Sequence, residues 1–85
     1  MTYAGWTNYE TWCVSTWINN DEGLYHNVRD HARHARNIEN LTDWLKEFFT
    51  EAKPNHPNTL WEDLLTTALE KVNWYEIAKS EYDDE

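Results

Sequence analysis

The chain has 85 residues, and Leu, Ile, Val and Phe supply only 15 of them, about 18%. Together with a formal net charge of −9, this falls in the range where chains fail to bury enough apolar surface to fold. Six Trp and five Tyr oppose that reading, since each large aromatic removes roughly 150–250 Å² from water when buried. The length suits one small domain, residues 1–85, with an aromatic core and an acidic surface. No run of about 18 apolar residues is present, which excludes a membrane-spanning helix.

The predicted elements are all helical, because apolar residues recur at three- and four-residue spacing and nowhere alternate. Residues 1–6 read as a loose lead-in. Thr7 and Glu10 fit a capping box that opens a first helix running to about Asn20. Its apolar stripe is Cys13, Val14, Trp17 and Ile18, flanked by Tyr9 and Trp12. The Asn19–Gly23 stretch ends it. A second helix spans about Glu22 to Arg36, with Leu24, Val28, His31 and Ala35 on its apolar face and Tyr25 and Ala32 at the edge.

Asn37 to Asn40 reads as a tight connection, with Asn40 capping the third helix. That helix has the clearest pattern in the chain: Leu41, Trp44, Leu45, Phe48, Phe49 and Ala52 fall on one face. Lys53 to Asn58, with two prolines, is the one linker-like stretch. Thr59 and Glu62 form a second capping box, opening a helix predicted to bury Trp61, Leu64, Leu65, Ala68 and Val72. Asn73 caps a short last helix through Trp74, Tyr75, Ile77 and Ala78, and residues 81–85 fray as an acidic tail. The expected fold is an all-α bundle of four main helices plus a short fifth around a Trp-rich core.

The run Trp6-Thr7-Asn8-Tyr9-Glu10-Thr11-Trp12, followed by Trp17-Ile18-Asn19-Asn20-Asp21, resembles the opening of a family of short, uncharacterised proteins encoded by phages, plasmids and scattered prokaryotic genomes. The likeness covers about the first 25 residues. It implies a mobile-element origin, a setting in which small acidic proteins often oppose host defence, and it implies no active site. A structural reading of the same residues is equally direct: Glu10 caps, Asn8 and Thr7 start the helix, and the tryptophans enter the core.

Charge is unevenly spread. Residues 1–37 carry four acids and three arginines, whereas residues 38–85 carry twelve acids and four lysines. An acidic protein is repelled by nucleic-acid backbones and drawn to basic protein surfaces. On the third helix Glu39, Asp43, Glu47 and Glu51 recur every four residues, opposite the apolar face. Their axial spacing of about 6 Å is close to that of phosphates along a nucleic-acid strand, although an acidic face also serves solubility alone. These four residues are the candidate partner-binding set, with Trp12 and Tyr82 as candidate aromatic anchors. The partner they suit is a host defence protein or nucleoprotein complex with a basic surface, such as a CRISPR effector or a restriction enzyme.

Other constellations are weaker. Arg29, Arg33 and Arg36 share one face of the second helix, and helix, Gly23 turn and basic helix is the outline of a helix-turn-helix. This gives the alternative of a small DNA-binding regulator; sixteen acids weigh against it. His26, Asp30 and His34 follow at four-residue steps, but the two imidazoles lie about 12 Å apart along the helix, too far for one ion, so no metal and no cofactor are expected. A third alternative is an adapter or homodimerisation module with surplus aromatics at its interface. There is no phosphate loop, no nucleophile–base pairing and little glycine for a mobile site loop, so no enzymatic activity is expected. The lone Cys13 and the absence of a secretory signal favour the host cytoplasm, with Cys13 acting as a small hydrophobe.

Overall fold

The structure is a computed structural model and describes residues 2–53 and 59–83. Five helices follow one another: α1 (Tyr9–Asn20), α2 (Glu22–His34), α3 (Ile38–Ala52), α4 (Leu60–Lys71) and α5 (Trp74–Asp83). The all-α architecture agrees with the sequence pattern, four helices joined by a C-terminal fifth. α3 and α5 share the most extensive contact, and α2 packs on α1, α3 and α5.

Caps explain where the helices begin, and two of them differ from the sequence reading. Asn8, not Thr7, caps α1: its side-chain oxygen accepts from the Thr11 amide at 2.9 Å. Thr7 is recruited elsewhere, its amide donating to Glu76 Oε1 at 3.0 Å and its hydroxyl accepting from Asn73 Nδ2 at 3.3 Å. Asn37, not Asn40, caps α3, accepting from the Asn40 amide at 2.7 Å. The earlier start adds Ile38 to the apolar face of α3, where it packs on the core. It also ends α2 at His34, because the Asn37 cap needs an extended backbone (φ −161, ψ 176). Asp21 caps α2, Thr59 caps α4 and Asn73 Oδ1 accepts from the Glu76 amide at the start of α5.

The fully buried centre is aliphatic: Ile18, Val28, Leu41, Leu45 and Ile77, closed by Ala32 and Ala78. Aromatic rings form a layer around it. A continuous run passes from His31 on α2, stacked on Trp44 at 3.7 Å, through Phe48 and Phe49 of α3 to Trp74 on α5. Of the six tryptophans Trp74 is buried, whereas Trp17 and Trp61 are more than 60% exposed.

That exposure corrects two predicted faces. α1 is rotated by about a quarter-turn from the expected stripe, so it buries Thr11, Ser15 and Ile18 and turns Trp17 outward. Small side chains let the backbone of α1 approach its neighbours, and the Thr11 hydroxyl is satisfied there: it donates to Asn8 Oδ1 at 2.6 Å and accepts from the Asn73 amide at 2.9 Å. Cys13 is half-buried. α4 has no buried residue; Leu65 and Ala68 are half-buried, and Leu60, Trp61 and Leu64 face outward. Its apolar arc is wider than the surface the other helices offer it. Val72, just past its end, is buried as predicted.

The two ends of the chain are more structured than the pattern suggests. Tyr3 and Trp6 exchange backbone hydrogen bonds of 2.7 and 2.8 Å around Ala4 and Gly5, both at positive φ, and Tyr3 packs on Tyr9 and Trp12. At the other end α5 continues through Asp83 instead of fraying from residue 81. Glu81 is buried, with Arg29 of α2 at 3.9 Å, and Tyr82 packs on the core. Asp84, Glu85 and the expected linker residues Pro54 to Asn58 lie outside the described residues.

Candidate functional site

α3 carries the strongest candidate surface. Its apolar side is fixed by Leu41 and Leu45, so Glu39, Asp43, Glu47 and Glu51 all project into solvent. At 100° per residue each step of four advances the position by about 40°, so the carboxylates wind across the outer half of the helix instead of forming a straight line. None of the four makes an ion pair with another described residue. Lys46 is the one base among them, and with Asp43, Glu47, Thr50 and Glu51 it lines a shallow open groove. Carboxylates at successive i, i+4 positions repel each other by a few tenths of a kcal/mol per pair, and a cationic partner relieves that repulsion.

Beyond Lys46 and Thr50 the surface dips into a cleft of about 460 Å³ between α3 and α4, floored by Leu69, Val72 and Trp74. Its rim is organised by Lys53 at the end of α3. Lys53 Nζ donates to Glu62 Oε2 and lies 3.4 Å from Thr66 Oγ1, and Thr66 in turn donates to Glu62 at 3.0 Å. These bonds tie the splayed α4 to the end of α3.

The two candidate anchors are not free. Trp12 is half-buried in a cluster with Tyr3 and Tyr9, at ring separations of 5.1 and 5.5 Å. Tyr82 is half-buried against the core, because α5 extends far enough to seat it. The most exposed large side chains include Trp17 on α1 and Leu60, Trp61 and Leu64 on α4, with Tyr3, Tyr9 and Tyr75 also exposed. Periodicity could not find these, since an apolar arc reads the same whether or not a neighbour covers it.

The arginines do not form a stripe. Arg29 is half-buried beside Glu81 and lies over the Tyr25 ring. Arg33 is exposed on α2, and Arg36 falls beyond the end of that helix. The histidines are likewise separated by role. His34 accompanies Asp30 at 3.8 Å, both largely exposed, while His31 stacks on Trp44. No group of three or more metal-ligating side chains occurs among the described residues, and no helix there is long and apolar enough to cross a membrane.

The motif at the N-terminus acquires a structural meaning. Asn8 caps α1 and also donates through Nδ2 to the Lys71 carbonyl at 2.7 Å, while Thr11 joins α1 to the start of α5. Asp21, at the end of the second half of the motif, caps α2. No curated protein and no solved structure matches the chain. A family match extends over the whole of it, residues 1–85, and the protein belongs to that family of unknown function, DUF7249.

Proposed function

We propose that this is a non-catalytic binding protein, encoded by a mobile element, that inhibits a host defence complex by presenting α3 to a basic, nucleic-acid-handling surface. The observation that carries the reading is the exposed set Glu39, Asp43, Glu47 and Glu51 on one 15-residue helix, unpaired within the described residues. Such a surface accelerates encounter with a basic partner and opposes nucleic acid in competition for it. The resemblance of the N-terminal residues to proteins of phages and plasmids supplies the choice of partner class, and the host cytoplasm is the compartment it requires. A helix-turn-helix regulator is the less supported alternative, because Arg29 is engaged with Glu81 and Arg36 lies off the helix.

The test is phage plating on cells that carry a CRISPR or restriction system and express the protein. The wild type is expected to restore plating in at least one such system. Replacing all four acids by lysine is expected to abolish that effect while circular dichroism stays helical. Undiminished protection by the reversed protein would refute the charge-based mechanism.

A further inference from the structure

We propose that the outer face of α4 is a self-association surface, on which a second copy of this chain docks α4 against α4 in antiparallel orientation. Three large apolar side chains, Leu60, Trp61 and Leu64, are 64%, 62% and 52% exposed there. Leu64 neighbours both of the others on the helix surface, four residues from Leu60 and three from Trp61, and the three form a patch of the kind that marks an interaction site.

The occupant follows from the pattern along that face. Its N-terminal half carries Leu60, Trp61 and Leu64, and its C-terminal half carries the small Thr67 and Ala68 and then Lys71. A two-fold axis near the middle of α4 sets the large half of one copy on the small half of the other, the self-complementarity that an isologous interface requires. The charges agree with this arrangement. Antiparallel pairing brings Lys71 at one end of the face toward Asp63 in the first turn of the partner's helix, and both side chains are exposed. In a chain of net charge −9, the 60–61–64–67–68–71 face contains no acid, so two copies approach there with the least repulsion. A helix of 12 residues is about 18 Å long. Contact along it alone stays below the roughly 800 Å² per partner of a standard interface, so a weak, concentration-dependent dimer is expected.

Sedimentation velocity tests this on the full chain from 20 to 500 µM, in low and high sodium chloride. The wild type is expected to show a concentration-dependent monomer–dimer equilibrium that strengthens with salt, as the repulsion between the two acidic bodies is screened. Trp61→Glu and, separately, Leu64→Lys are expected to weaken it at least tenfold with unchanged circular dichroism. Lys71→Glu is expected to weaken it, and Lys71→Glu combined with Asp63→Lys to restore it. A wild type that stays monomeric throughout, or a Trp61→Glu variant that dimerises as well as the wild type, would overturn the proposal. Failure of the charge swap to restore association would overturn the antiparallel pairing.

Discussion

Thr11 is fully buried, yet its side chain is polar and both its hydrogen-bonding roles are filled: the hydroxyl donates to Asn8 at 2.6 Å and receives the Asn73 amide at 2.9 Å. Thr11→Val keeps the shape and removes both bonds. Asn8 Oδ1 still accepts from the residue 11 amide, so the cap survives, but the Asn73 amide loses its acceptor in a place water reaches poorly. Leaving one such group unsatisfied costs about 1–3 kcal/mol, and the bond to Asn8 adds about 1. A loss of roughly 2–4 kcal/mol is therefore expected, a large share of the stability of a domain this size, and it lowers Tm by on the order of 10–30 °C. Thr11→Ser is the control: it keeps the hydroxyl and loses one methyl, about 1 kcal/mol. Urea unfolding followed by circular dichroism and tryptophan fluorescence measures both. Valine at least as stable as serine would refute the assignment of Thr11 as the hydrogen-bonded joint between α1 and α5.

The cap assignments separate cleanly by mutation. Asn37→Ala and Asn73→Ala are each expected to cost about 1 kcal/mol, whereas Asn40→Ala stays within a few tenths; equal effects at Asn37 and Asn40 would contradict the observed start of α3. Asn8→Ala is expected to exceed both, because Asn8 also holds the Lys71 carbonyl and the Thr11 hydroxyl. At the N-terminal turn, Ala4 sits at φ 50 and Gly5 at φ 91, a region that costs an L-residue about 1–2 kcal/mol. Ala4→Asn is expected to raise the melting temperature slightly and Gly5→Ala to lower it, and the reverse order in thermal melts would rule out that backbone geometry.

Helical periodicity made five helices and their order legible, because Leu41, Leu45, Trp44 and Phe49, or Trp74, Ile77 and Ala78, leave little choice of face. What it could not supply was how much of each apolar arc finds a neighbour. In α1, Trp17 outweighs Thr11 and Ser15 on any hydrophobic scale, but the small residues permit the closer helix approach and the hydroxyl finds two partners. In α4 the arc is real and half of it is uncovered. Competing caps posed a second difficulty, since Thr7 and Asn8, or Asn37 and Asn40, are locally equivalent. Contacts with α5 engage Thr7, and placing Ile38 in α3 brings it onto the core. Glu81 misled in the same way: it reads as part of an acidic tail, and its burial depends on α5 seating it beside Arg29, far away in sequence. The acidic positions of α3 were legible because exposure opposite a strong apolar face follows from the helix alone. The partial burial of Trp12 and Tyr82 was not legible, because Trp12 meets Tyr3 in a lead-in without periodicity and Tyr82 is seated on the core by α5.

Residues 7–11 are closed by residues 71–76, through the bonds of Thr7, Asn8 and Thr11 to Glu76, Lys71 and Asn73. During synthesis at about 5–20 residues per second, α1 therefore emerges several seconds before the groups that cover it. Over that interval α1 has only α2 to pack on, and the part of its face that meets α4 and α5 is uncovered, as is the face of α3 that awaits α5. The nascent chain cannot complete its interior helix by helix. It is committed to a single late closure across a loop of some sixty residues, which is slow for a helical protein.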